Sequence, residues 1–303
     1  MRIRGQDFSL VGLLPFELSD LIPVDGRSAW LVGTAGVNSS LVTPNAFQSL
    51  PNGESEAILI RVADVEPTVS AITSSSGISG AQLAPGQLVS VFGSELGTPT
   101  GMGLHLDTFG RVDSVLGETR VLFDGLPAPL LYVRSDQVNT IVPFATSEHA
   151  STEVVVEYKG VKSNPVNIPI VESAPGIFTV NGKGSGQAAV LNQDGNLNSR
   201  LNPARRGSII TLYATGAGLV SPAVDGSLAG SALPTLLLPV IVGMDNAGTE
   251  ILYAGAAPGL VAGIIQVNFR IPNDTRIGDS IPVVLRVGSA YSQPVTVAVR
   301  DIP

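Results

Sequence analysis

The chain has 303 residues, 44% of them apolar and 14% charged, with 34 glycines, 22 prolines and no cysteine. Such a composition supports packed cores and excludes an intrinsically disordered chain, disulfides, thiolate metal sites and cysteine nucleophiles. A formal net charge of −8 argues against a nucleic-acid partner, because phosphate contacts need a basic surface.

The segment after Met1, "RIRGQDFSLVG", has neither the apolar run nor the cleavage site of a signal peptide. Trp30 sits in an alternating run, "SAWLVG", where packing is expected. From Pro67 onward the pattern is short strands. "LVSVFG" is one, and "VLFDGLPAPLLYV" is two around a turn at Asp124-Gly125. "QVNTIVP" follows, then "TEVVVEYKGVKSNPVNIPI", two strands around Gly160. In "VESAPGIFTV", Pro175-Gly176 punctuates the pattern and reads as a hinge of limited bending. "GKGSGQ" is glycine-rich, but Lys183 comes too early for a phosphate loop and no helix follows, so it reads as a flexible connection. "IITLYA", "QVNFRIP" and "IPVVLRVGSAYSQPVTVAV", the last turning at Gly288, are again strands. "LPTLLLPVIVG" from Leu233 is the most apolar run, but Pro234 and Pro239 break it, so no membrane insertion is expected. No stretch of ten residues shows a 3.6-residue period, so almost no helix is expected.

The chain repeats itself. Gly86 and Gly207 stand 121 residues apart, as do Phe92 and Tyr213, Asp124 and Asp245, and Tyr132 and Tyr253. From Gln137 and Gln266 onward the spacing becomes 129, and it holds through Pro143/Pro272 and Pro165/Pro294. The second copy therefore carries an insertion of eight residues near "GAAPGLVAG". A period above 100 residues means two domains. Seven or so strands per copy, with turns every 8–12 residues, predict two immunoglobulin-like β-sandwiches.

Gln-Val-Asn occurs in both copies. Alternation places Gln137 and Asn139, and likewise Gln266 and Asn268, on one strand face with the apolar residues on the other. The reading favoured is a register lock, the amides bonding to a neighbouring loop. A paired ligand site on the amide face is the alternative; amides alone lack a pKa for proton transfer. "NQDGNLN", Asn192 to Asn198, spaces oxygen side chains as a calcium loop does. It has one carboxylate, Asp194, and no closing Glu, so a hairpin with Asp194-Gly195 at its turn is expected. His105 and His149 are the only histidines and have no metal spacing. No G-x-S-x-G elbow is present, and no carboxylate pair stands out. We therefore expect no catalytic residue, no metal and no cofactor. Tyr291 in the turn "VGSAYSQP" and Leu260 in the inserted loop are the candidate ligand-loop residues, with Asp194. The apolar insertion, Gly255 to Gly263, suits a protein contact, or packing on the first sandwich, better than a sugar.

"LAPGQLVSVFGSELG", "VLFDGLPAPLLYVRSDQVNTIVPF", "SAPGIFTV", "GQAAVLNQDGNLNSRLNPARRGSIITLYATGAG" and the stretch from Ala254 to Val299 together resemble a C-terminal domain family. That family is expanded in large secreted proteins of Acidobacteria of the Solibacter type. The resemblance covers roughly Pro67 to Arg300. It implies tandem immunoglobulin-like sandwiches closing an extracellular protein, and it brings no activity to any residue. Upstream, Gly33, Thr34, Ser39, Ser40, Thr43, Pro44, Ala46 and Gln48 resemble one blade of a bacterial β-propeller repeat. Leu41-Val42 replaces that repeat's Phe-Pro, and Glu56 its Asp. A closed propeller needs at least four blades, so the chain reads as the C-terminal end of a larger protein whose upstream propeller region is its partner. The expected organisation is a partial blade segment over 1–66, sandwich 1 over 67–172 and sandwich 2 over 173–303. The expected function is a non-enzymatic extracellular or cell-surface spacer. Its alternative is an adhesion module binding polysaccharide or a surface protein through sandwich loops.

Overall fold

The computed structural model describes residues 17–25, 28–36, 55–63, 66–77, 82–230 and 233–301. Among them the chain is all-β, with 26 strands, one 3-10 helix at Phe144–Glu148 and no α-helix. It divides into two compact units, Met1–Val65 and Glu66–Pro303.

In the first unit Glu17–Asp25, Ser28–Gly36 and Ser55–Ala63 form an antiparallel sheet with Ser28–Gly36 at its centre. Trp30 lies in that central strand, opposite Ile22 on one side and Arg61 on the other. The expected packing of its side chain lies outside what is described. So do the blade-motif residues Ser39, Ser40, Thr43, Pro44, Ala46 and Gln48.

The second unit has two halves built on one strand plan. In the first half, one sheet runs Thr68–Ser74, Leu88–Ser94, Gln137–Ile141, Leu130–Arg134 and Met102–Gly103. The other has Ser151–Tyr158 at its centre, flanked by Thr119–Phe123 on one side and by Val161–Lys162 and Val166–Pro169 on the other. Val89, Val91, Val133 and Val138 from the first sheet and Val121, Phe123, Val154 and Val156 from the second are fully buried in a common cluster. Alternation explains this, because every second side chain of each strand points to the same side.

In the second half, Ile209–Thr215, Ile264–Arg270 and Glu250–Ala256 take the places of Leu88–Ser94, Gln137–Ile141 and Leu130–Arg134. Gly278–Val287 is flanked by Val240–Met244 and Val295–Arg300, as Ser151–Tyr158 is flanked in the first half. Its cluster includes Ile210, Leu212, Val242, Met244, Val267, Phe269, Val283 and Leu285. Met244 stands where the first half has Phe123. Apart from the two-residue pairing of Ala204–Arg205 with Val299–Arg300, the strand ladders described are antiparallel.

Register agrees between the copies. Gln137 stands opposite Phe92, and Gln266 opposite Tyr213. Both hairpins preceding the Gln strands carry a bulge beside the tyrosine, at Tyr132 and at Tyr253. The turn Asp124-Gly125 has φ of 50° and 82°, and its counterpart Asp245-Asn246 has 52° and 67°. Consecutive left-handed residues match the twist of a two-residue hairpin, which is why Asp, Asn and Gly occupy these positions.

The halves do not meet through a hinge. Gly176–Ile177, read from the sequence as a bending point, is a strand paired with Ala214 and Thr215. Ala174 N–H donates to Gly216 O at 2.8 Å, and Ser173 Oγ donates to Val287 O at 2.8 Å. Pro and Gly marked a change of direction there, but the backbone groups around them are hydrogen-bonded into the second half. "GKGSGQ" is likewise no free connection, because a Cβ on Gly77 of the first half would overlap the backbone of Lys183 and Gly184.

Candidate functional site

The two halves of the second unit meet at a junction built from residues far apart in the chain. Leu88, Val112 and Ile141 of the first half share a buried cluster with Val261 of the second, and Leu131, Phe178 and Ile264 pack against it. A second cluster joins Phe144 to Val220 and Ala262. At the centre is Thr215, fully buried. Its Oγ1 accepts the Leu88 N–H at 2.8 Å and donates to Gly263 O at 2.8 Å. One hydroxyl thus completes the hydrogen bonding of a strand start in one half and of the inserted loop in the other. Gly263 has φ +110°, and a Cβ there would overlap the Gly86 carbonyl oxygen, so only glycine fits this approach.

The inserted loop is therefore a docking element. Ala229 N–H donates to Leu260 O, Ala262 N–H donates to Ser227 O, and Leu228 bridges to Val261, tying the loop to the segment Ser227–Ala229. Val261 and Ala262 are buried at the junction, while Leu260 remains 40% exposed. Of the uses expected for this loop, packing on the first half is the one observed.

A third contact crosses the junction at Asp225. Pro143 precedes the 3-10 helix and gives it no side-chain cap. The orphaned Phe144 N–H donates instead to Asp225 Oδ1 of the other half, at 2.9 Å. Burial pushes the Asp225 carboxyl above its ordinary value, and the hydrogen bond from Phe144 partly opposes this. Next to it, Val112 N–H donates to Gly226 O at 2.8 Å.

The Gln-Val-Asn amides do something other than expected. Gln137 Nε2 donates to Asn139 Oδ1 at 2.8 Å, and Gln266 Nε2 donates to Asn268 Oδ1 at 3.0 Å. Each pair bonds along its own strand, on a half-buried face, instead of reaching a neighbouring loop. Strand alternation brings side chains two residues apart onto one face, where these amides meet. Ile141 belongs to the same face and is fully buried, because the second half covers it. Its counterpart Arg270 is only half-buried and pairs with Glu250 at 2.8 Å.

Sequence reasoning missed the amides that clasp each half. Asn164 Oδ1 accepts the Val69 N–H at 2.9 Å, and its Nδ2 donates to Val69 O at 3.2 Å. Gln293 repeats this on Ile177, at 3.2 and 2.7 Å. The preceding serines match as well: Ser163 Oγ accepts Val156 N–H and Ser292 Oγ accepts Leu285 N–H. The one available signal was the pattern Ser-Asn-Pro and Ser-Gln-Pro at the 129-residue spacing.

The remaining candidates separate. Asp194 lies at a hairpin turn, where Leu191 bridges to Leu197 and Asp194 Oδ1 accepts the Asn196 N–H. Hydrogen bonds from the Asn196 side chain and backbone hold its carboxyl below the usual range. Asn198 turns inward, fully buried, and bonds Asn192, Gln187 and both backbone groups of Ala298. Asn198 thus pins the hairpin to the strand Val295–Arg300, and Asn192 holds the Asn198 amide through its Oδ1. Tyr291 is 66% exposed, with the Arg286 guanidinium 5.9 Å from its ring. Tyr253 is half-buried and donates to Ala256 O at 2.6 Å. His149 Nδ1 lies 3.0 Å from Asp124 Oδ2, and both are solvent-accessible; His105 is exposed. No group of three or more His, Cys, Asp or Glu that could hold a metal occurs among the described residues. No helix among them is long and apolar enough to cross a membrane.

No protein-family model and no curated protein matches the chain. Among solved structures it is similar to surface layer protein SbsC, domains 4–9, at 12% identity and a TM-score of 0.23. The match covers 91% of this chain and 35% of that one. A likeness at that TM-score carries no argument about fold or role.

Proposed function

We propose that residues 66–301 are a non-catalytic structural unit of an extracellular protein, two immunoglobulin-like sandwiches joined into one stiff body. The observation that carries this is the junction. It is apolar at its centre, it is bridged through a buried hydroxyl, and it is assembled by an insertion that the first copy lacks. Independent sandwiches on a string would need none of these features. The resemblance of residues 67–300 to a C-terminal domain family of secreted Acidobacterial proteins supports the extracellular setting.

Native-state hydrogen exchange in urea on the full chain tests this. In one stiff body the core amides of Phe123 and of Met244 open in a single event with a common free energy and m-value. Two separate openings would show two independent sandwiches.

The exposure of Tyr291 beside Arg286 favours a second reading, a loop that binds polysaccharide or a surface protein. Retention of the chain on insoluble polysaccharide or cell-wall material, lost on Tyr291→Ala, would establish it.

A further inference from the structure

We propose that Asp225 is a proton-sensitive clasp on the junction: its carboxyl caps the Phe144 N–H across the two halves, and its ionisation loosens their contact. The cap is made in trans. The residue in front of the 3-10 helix is Pro143, whose side chain has no acceptor, and the Phe144 N–H bonds Asp225 instead. The turn that carries Asp225 is itself part of the interface. Gly226 has φ +70° and receives the Val112 N–H, and a Cβ at Gly226 would meet Val112 O at 2.7 Å and the Pro129 ring at 3.3 Å. Ser227 then holds the inserted loop through Ala262 N–H. Whatever moves this turn acts on both Val112 of the first half and the inserted loop of the second.

An ionised carboxylate in a partly dehydrated site needs a cation or several donors to offset its lost hydration. Asp225 is the only charged residue between Ala217 and Gly230, and the inserted loop Gly255–Gly263 has none. The titratable and charged groups on the other elements around it are Arg111 and Asp113 beside Val112, Glu148 and His149 at the far end of the 3-10 helix, and Glu172 on the strand approach near Gly218. Arg111 pairs with Asp107, Asp113 accepts the Val115 N–H, and His149 faces Asp124. None of them acts on the Asp225 carboxyl, whose surroundings are burial and the Phe144 N–H. The folded protein therefore prefers the protonated form. A carboxyl raised above its unfolded value contributes stability that is complete below about pH 3.8 and is lost as pH rises through the raised value. Acid tightens the junction and neutral pH relaxes it. This rests on the geometry of the junction and on the burial of the Asp225 carboxyl, and it stands whether or not the unit serves as a spacer.

The test is amide hydrogen exchange on the full chain between pH 4 and 7, corrected for intrinsic exchange and read at Phe144, Val112 and Leu88. Val156, in the core of the first half, serves as the internal reference. In the wild type, junction protection relative to Val156 falls severalfold as pH rises. Asp225→Asn keeps an oxygen acceptor without the charge, so its junction amides hold the acid-form protection at every pH. Asp225→Ala removes the cap and lowers Phe144 protection throughout. The proposal is overturned if Asp225→Asn shows the wild-type pH dependence. It is equally overturned if wild-type protection rises with pH, which would mean that the charged hydrogen bond outweighs the cost of burial.

Discussion

Replacing Thr215 with valine removes one oxygen and preserves the shape of the side chain. Thr215 is fully buried, so water cannot take over from the lost hydroxyl. The substitution strands two backbone groups at once, the Leu88 N–H and the Gly263 carbonyl, each now bonded at 2.8 Å. An unsatisfied buried donor or acceptor costs about 1–3 kcal/mol. The carbonyl can recover part of its loss by small shifts of the loop, so the sum is about 3 kcal/mol. For a cooperative unit of this size, Tm moves by roughly 3 °C per kcal/mol, and the melting temperature should fall by about 9 °C. Differential scanning calorimetry on the full chain reads this directly. Thr235→Val is the control, because that hydroxyl is exposed and its bond to Ser221 O is 3.4 Å long; about 0.5 kcal/mol or less is expected there. If Thr215→Val melts together with Thr235→Val, the hydroxyl bridge contributes nothing and the junction must be held by its apolar cluster alone. A transition that splits in two would show that Thr215 couples the halves.

Asn164→Ala and Gln293→Ala each release both backbone groups of one strand residue, so each should cost about 1–3 kcal/mol in urea unfolding, and the double variant should be close to additive. Asn268→Ala should cost less than about 1 kcal/mol, because it removes a bond between two half-buried side chains and strands no backbone group; a larger loss in the same assay would restore the register-lock reading. Gly263→Ala should disrupt the junction and lower Tm by more than Thr235→Val does, since its Cβ has no room beside Gly86 O. Asp245 is held below the ordinary carboxylate value by hydrogen bonds from the Arg276 side chain and backbone. Its contribution is complete above about pH 3.8 and is lost as pH falls through the lowered value. Arg276→Gln should accordingly flatten the acid limb of the stability curve, and an unchanged limb would show that the pair is screened away.

Much of the second unit was legible in the sequence because its signals are local. Val138 and Thr140, or Val267 and Phe269, point to a core because neighbours two residues apart share a strand face. The hairpin at Asp194-Gly195 announced itself through residues that tolerate a tight turn, and the Asp124-Gly125 turn did likewise. The repeat itself was a comparison of the chain with itself, and its two spacings correspond to matching strands in matching register.

Other features depend on meetings that no local pattern encodes. Nothing near Leu88 says that its N–H will find a hydroxyl 127 residues further on, and nothing near Phe144 says that its cap is Asp225. The Gln-Val-Asn strand shows the limit most clearly. Alternation placed Gln137, Asn139 and Ile141 on one face, but it could not say that the amides would bond each other while Ile141 would be buried by the other half. The contrast of Ile141 with Arg270 at the same position was the available clue, an apolar residue where a surface is covered and a charged one where it meets water. Sequence alone determined the strands, the turns and the duplication, because backbone stereochemistry and side-chain period act over a few residues. Tertiary structure decided that the inserted loop closes the two copies into one body, because the groups that it joins become neighbours only once both halves have folded.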